Sequence, residues 1–252
     1  LRYLIGNLVR NLGARGPRPV VEKFLPSGTA GSLWIASPSR ILTEAYLEQR
    51  LPQLLPAGQL RVLEIGCGTG SLCRRLARIG YSGSYVGIDV TDRFDPTPIA
   101  RFERRFIHAD IHDFDPGTNC FDLIISVSAL EHVPRDSHLI DRIPDWLDHD
   151  GVELHFVPSG WGLATYLWHG WRQYPLAAIG NRFGVTAVAT PLGGLPTTLL
   201  HFFFITVGEI LLRTDLRRRW PRIYQYLLDR GINFDRFLQW CPTMYAVRRH
   251  RR

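Results

Sequence analysis

Three carboxylates, three closely spaced glycines and one histidine carry the chemistry of this chain. Glu64 closes an apolar run in VLEIGCGTG, and Gly66, Gly68 and Gly70 follow at alternate positions. Asp89 closes YVGID about 20 residues on, and Asp110 closes HAD. His132 lies in ALEHVP, just past the apolar run FDLIISV. A strand that feeds a glycine-rich turn into a helix is a nucleotide-binding device. Glycines let the backbone approach the ligand, and the helix start offers unpaired N–H groups. An acid at the end of the next strand accepts hydrogen bonds from ribose hydroxyls.

A dinucleotide and S-adenosylmethionine (SAM) both use such a device. Three details favour SAM. The pattern is G-x-G-x-G, and the dinucleotide form would place Gly or Ala at Ser71. Glu64 would repel a pyrophosphate but suits a cationic methionine end. A third strand ends in Asp110.

These residues need an alternating βα frame, and the spacing supplies one. The pattern predicts a helix over Ile41–Leu55 and strands over Leu60–Ile65, Tyr85–Val90, Arg105–His108, Phe121–Val127 and Val152–Val157. Further helices fall at Ser71–Ile79 and His138–Leu147. Phe121–Val127 is continuously apolar, as in a strand covered on both faces. The fold class is therefore α/β: a Rossmann-like doubly wound sheet, mostly parallel. Residues 13–32 read as a loop rich in Gly, Pro and Ser. Phe237–Val247, interrupted at Pro242, reads as two closing antiparallel strands. The expected division is an N-terminal loop and helical segment over 1–57, a core over 58–158, and a helical cap with the last strands over 159–252.

With these motifs in order, residues 58–158 resemble class I SAM-dependent methyltransferases, of the group with a Leu-Glu-His-Val segment after the fourth strand. Val62–Gly70, Gly87–Asp89, Ala109–Asp110 and Phe121–Pro134 match its four motifs. The resemblance implies a seven-stranded sheet whose last strand is antiparallel. It implies that Glu64, Gly66 and Gly68 line the methionine part of SAM, that Gly70 belongs to the same cofactor-binding turn, and that Asp89 takes the ribose. It also implies that Asp110 and the Ile111 backbone meet adenine, while Ser126 and Val127 close the pocket near the sulfonium. Relatives that hold a metal carry Glu-x-x-Glu-His; here Ser128 replaces the first acid, so no metal set is expected. His132 is the candidate general base, against a plain packing role beside SAM.

The rest of the chain bears on the acceptor. Of 252 residues 45% are hydrophobic and the net charge is +7, but the basic residues are dispersed, apart from Arg213–Arg222 and the tail. Trp161, Tyr166, Trp168, Trp171 and Tyr174 follow the fifth strand, with His169 and His201 as polar groups, where the family builds acceptor pockets. Only Arg172 and Arg182 punctuate 161–212, which argues against nucleic acid and for a small, hydrophobic or lipid-linked acceptor. Leu195–Leu212 reads as a buried or cap helix with a polar stripe through Thr198, His201, Thr206, Glu209 and Arg213. The basic run after it leaves a peripheral membrane contact open. Four cysteines without a C-x-x-C pair, and no secretory pattern at the start, suggest a reducing cytoplasmic setting. An RNA methyltransferase and a SAM-binding subunit without turnover are the alternatives. Oligomeric state is not legible.

Overall fold

The chain is described by a computed structural model covering residues 2–27, 35–166 and 170–250. Helix α1 (Arg2–Gly13) and the two-residue strand β1 (Val20–Val21) precede α2 (Pro38–Leu54). The repeating core follows: β2 (Gln59–Ile65), α3 (Ser71–Ile79), β3 (Ser82–Asp89), β4 (Phe102–His108), β5 (Phe121–Val127), α4 (Asp136–Trp146) and β6 (Leu147–Pro158). Then come α5 (Gly162–Tyr166), α6 (Leu176–Phe183), β7 (Val188–Leu192) and α7 (Leu195–His201), the last continuing as a π-helical run over Phe202–Leu211. Helices α8 (Leu216–Arg219) and α9 (Pro221–Asp235) lead to β8 (Met244–His250).

The sheet order is β1-β7-β8-β6-β5-β2-β3-β4. Only β8 runs against its neighbours, β6 and β7; the other pairs are parallel. Strand alternation sends side chains to two cores. Leu60, Val62, Leu123 and Ile125 pack with α2, α3 and α9 on one face. Leu63, Ile65 and Ile124 pack with α4 and α6 on the other. Each face thus has its own apolar layer, which is why the central strands read as continuous apolar runs.

Local signals set the ends. Ser37 caps α2, accepting from Arg40 N at 3.4 Å, with Pro38 at its first turn. Gly70 and Gly80, both at positive φ, bracket α3.

Two expectations need correction. The segment before Pro242 is not a strand; Phe237 and Trp240 are exposed in a turn, and β8 alone closes the sheet there. The neighbouring place is taken by β7, whose short run with Pro191 gives little strand signal. Helix α1 also forms in a stretch for which the spacing predicts no element. No helix among the described residues is long and apolar enough to cross a membrane.

Candidate cofactor and active site

The carboxyl ends of β2, β3, β4 and β5 converge on the glycine turn. Gly66 N and Cys67 N donate to Ile88 O at 2.8 and 3.1 Å, tying the turn to β3. Gly66, Gly68 and Gly70 have φ of +69°, +53° and +74°, a region that L side chains rarely occupy. A Cβ on Gly66 would lie 2.4 Å from Ala129 Cβ, and one on Gly70 would strike the Phe106 ring at 2.5 Å. A Cβ on Gly68 would meet no protein atom within 4 Å and would project into open space beside the turn. Packing thus requires glycine at 66 and 70, whereas at Gly68 the backbone conformation alone favours glycine.

Two cavities flank the turn. One of about 250 Å³ is lined by Ile88, Asp89, Asp110, Ile111, His132 and neighbours. The other, of about 430 Å³, is lined by Arg40, Glu44, Glu64, Gly68, Arg75 and neighbours. Gly66 and Ser128 belong to both. Ser128 holds φ +51°, unusual for a residue with a Cβ, while its N–H donates to Phe156 O at 2.9 Å. The strained residue after β5 therefore sits at the junction.

In the smaller cavity, Asp89 Oδ2 accepts from Gly68 N at 2.8 Å, and Oδ1 accepts from Thr91 N and Oγ1 at 2.8 and 2.9 Å. These bonds fix the carboxylate, and each oxygen retains acceptor capacity. Asp110 caps the turn Ile111–Asp113 through His112 N at 2.9 Å. Buried Ile111 supplies an apolar wall. His132 lies in a single 3₁₀ turn, Leu130–His132, and is exposed at the cavity mouth.

The larger cavity is ionic and partly buried. Tyr85 donates its hydroxyl to buried Glu64, and Arg75 pairs with buried Glu44. Burial pushes Glu64 up to about 8, against the smaller opposing pull of Tyr85 and Arg75. Burial also raises Glu44 and lowers Arg75.

Ser126 is not where the resemblance placed it. It lines neither cavity. Strand alternation turns it to the opposite face from Val127, where its Oγ lies 2.7 Å from His155 Nδ1. His155 Nε2 lies 2.9 Å from Glu153 Oε1, and Arg249 Nε donates to Glu153 Oε2 at 2.7 Å. Ser126, His155 and Glu153 are fully buried, so this chain is internal wiring of the sheet. Val127 does line the larger cavity, as does Ser128.

Helix α2 is where a helix was expected, but its part in the site was not foreseen. Ser37, Arg40, Thr43 and Glu44 form one wall of the larger cavity. The signal was Glu44, an acid inside an otherwise apolar helix face. Of the aromatic cluster, Tyr174 is buried and donates to Asp136 at 2.8 Å, an anion also paired with Arg172 and Arg182. Trp161 and Trp171 are exposed. Trp168, His169 and the Tyr166 side chain lie outside the described residues.

Comparison with known proteins decides the family. A methyltransferase domain model matches residues 62–151. An uncharacterized methyltransferase of Mycobacterium tuberculosis is 30% identical over 178 residues, covering 69% of this chain and 88% of that protein. The chain is a SAM-dependent methyltransferase. A ubiquinone biosynthesis O-methyltransferase of Bradyrhizobium diazoefficiens is 26% identical over 141 residues, and the chain spans about half (51%) of its length. Among solved structures, the [4+2]-cyclase SpnF matches with a TM-score of 0.56 at 14% identity, covering 99% of this chain and 93% of its own. An inferred sarcosine dimethylglycine methyltransferase from Galdieria sulphuraria matches at 0.55 and 15%, covering 83% and 85%. Both share the mixed sheet with flanking helices that this methyltransferase displays.

Proposed function

We propose that this methyltransferase moves the methyl group of SAM to an oxygen or nitrogen of a small, hydrophobic or lipid-linked acceptor, leaving S-adenosylhomocysteine. The observation that carries the reading is the pair of cavities joined at Gly66 and Ser128. Their linings differ in the way the two ends of SAM differ. Asp89, Asp110 and Ile111 suit a ribose diol, an adenine amino group and a flat ring. Glu64 suits an ammonium, while Arg40 and Arg75 suit a carboxylate. The open space beside Gly68 admits a ligand packed on the backbone.

When bound, SAM supplies a sulfonium-activated methyl group. The protein's own work is then alignment and exclusion of water. The glycine turn and Ser128 fix the place where the two cavities meet. α2 covers the larger cavity and keeps its ion pairs out of bulk water. In this reading His132, which lines the smaller cavity, takes a proton from an acceptor hydroxyl or amine onto an imidazole nitrogen.

The acceptor class rests on the apolar and aromatic character of residues 161–212, with few basic residues among them, and on the O-methyltransferase relatives. The test is methyl transfer from labelled SAM to hydrophobic small molecules, compared with RNA, at low and high salt. Transfer to an organic-extractable product with little salt dependence supports the proposal. Salt-sensitive transfer to RNA refutes it.

A further inference from the structure

Helix α1 is packed inside out. Asn7 is its buried residue, and Tyr3 donates to Gly170 O. Asn11 Nδ2 donates to Gly160 O at 3.2 Å, and an Arg10 guanidinium nitrogen donates to Trp171 O at 3.0 Å. The polar side therefore faces the protein. Ile5, Leu8, Val9 and Leu12, spaced as one helical stripe, are exposed, Leu12 to 78%. Leu4, Ile5, Leu8 and Leu12 form one side of a groove of about 730 Å³ whose other side includes Trp161 and Trp240. Those two rings meet edge to face, with centroids 6.2 Å apart, and both are exposed.

The same inversion recurs in α7 and its π-helical continuation. Thr197, Thr198, His201 and Thr206 are buried, while Phe203, Ile210 and Leu211 are exposed. Here Thr198, His201 and Thr206 of the expected polar stripe face inward, while Glu209 is half-buried and Arg213 exposed. The two inverted segments are neighbours, because α5 packs against both, and Thr206 donates to Thr165 O. The groove beside α1 and the exposed side chains of the π-helical run are therefore two apolar surfaces on either side of α5, and apolar area of this kind marks an interaction site.

Charge identifies the occupant. Residues 1–21 contain Arg2, Arg10, Arg15 and Arg18 and no acid; Arg10 is turned back onto Asn7 and Trp171 O, while Arg2, Arg15 and Arg18 are exposed and Arg18 lines the groove. A second copy would bring a second set of the same arginines and no acid from this segment. An anionic bilayer instead pairs with them while its acyl boundary receives the stripe and the headgroup region receives the tryptophans. We propose that α1, with the Trp161–Trp240 rim, seats this methyltransferase on anionic membrane surfaces.

The test is flotation of the full chain with phosphatidylglycerol–phosphatidylcholine vesicles and with phosphatidylcholine alone. A double variant, Leu8→Asp with Leu12→Asp, alters only exposed positions. Arg15→Glu with Arg18→Glu probes the charge separately. Circular dichroism and SAM affinity verify that each variant is folded. The chain is expected to float with the anionic vesicles and not the neutral ones, and each double variant is expected to bind about tenfold or more weakly. These readouts need no acceptor, so they stand or fall apart from the proposed reaction. Absence of binding to anionic vesicles, or equal binding by the folded Asp variant, overturns the proposal. So does a dimer in light scattering that the Asp variant splits, with no vesicle binding, since a second copy then covers the stripe.

Discussion

Glu64→Gln isolates a buried carboxyl that both the fold and the proposed ligand depend on. Glu64 is buried to 4% exposure, and burial raises it from 4.5 to about 8. Between these values the folded chain holds a proton that the unfolded chain has released. Stability without ligand therefore falls as pH rises through this window, by on the order of 3 kcal/mol by pH 7. Glutamine keeps the shape and still accepts the Tyr85 hydroxyl, but it does not titrate. Urea unfolding of both forms from pH 4.5 to 8 should show the variant gaining on the native chain as pH rises. A cationic ammonium beside Glu64 favours its ionised form. SAM affinity should thus rise toward pH 8 in the native chain, with release of a proton seen as buffer-dependent heat in calorimetry. The variant should lose both effects and bind SAM roughly ten- to a hundredfold more weakly, as expected for a lost charge-assisted bond of about 1.5–3 kcal/mol. If the two stability curves run parallel across the window, Glu64 is not held protonated and the reasoning fails.

Asp89→Ala should weaken SAM binding about ten- to a hundredfold in calorimetry, through the lost acceptor and the freed Gly68 N–H; unchanged affinity in a folded variant would remove it from the site. His132→Ala should slow transfer by about 10²–10⁴ at nearly constant SAM affinity. Near-normal turnover would leave alignment as the whole mechanism. Glu153→Ala strips the partner from His155 and Arg249 inside the sheet and should cost about 3–5 kcal/mol in urea unfolding, with little change in SAM affinity per folded molecule.

The central βα repeat was legible because burial on both faces imposes continuous apolar strands, and glycines mark where α3 begins and ends. Ser71–Ile79 and Phe121–Val127 fall where the pattern put them. The glycines, Asp89, Asp110 and Ile111 do converge, because strands of one direction bring their carboxyl ends together. Other contributions depend on tertiary packing. Arg40 and Glu44 reach the site from a helix far upstream, and nothing in local spacing says which face α2 turns to the cavity. Ser126 illustrates the reverse: a one-residue difference along β5 moves a side chain across the sheet. The polar stripes of α1 and α7 show that amphipathicity gives the two faces of a helix but not which one is buried. β7 was missed because five residues containing a proline carry too little signal.

The most direct test of the account is transfer from methyl-labelled SAM in a reaction offered both lipid extract and RNA. The account predicts label in an organic-extractable product, formed in equal amount with S-adenosylhomocysteine and nearly independent of salt. Label recovered in RNA and lost on ribonuclease treatment would contradict it, as would failure to methylate any fraction by a chain that binds SAM.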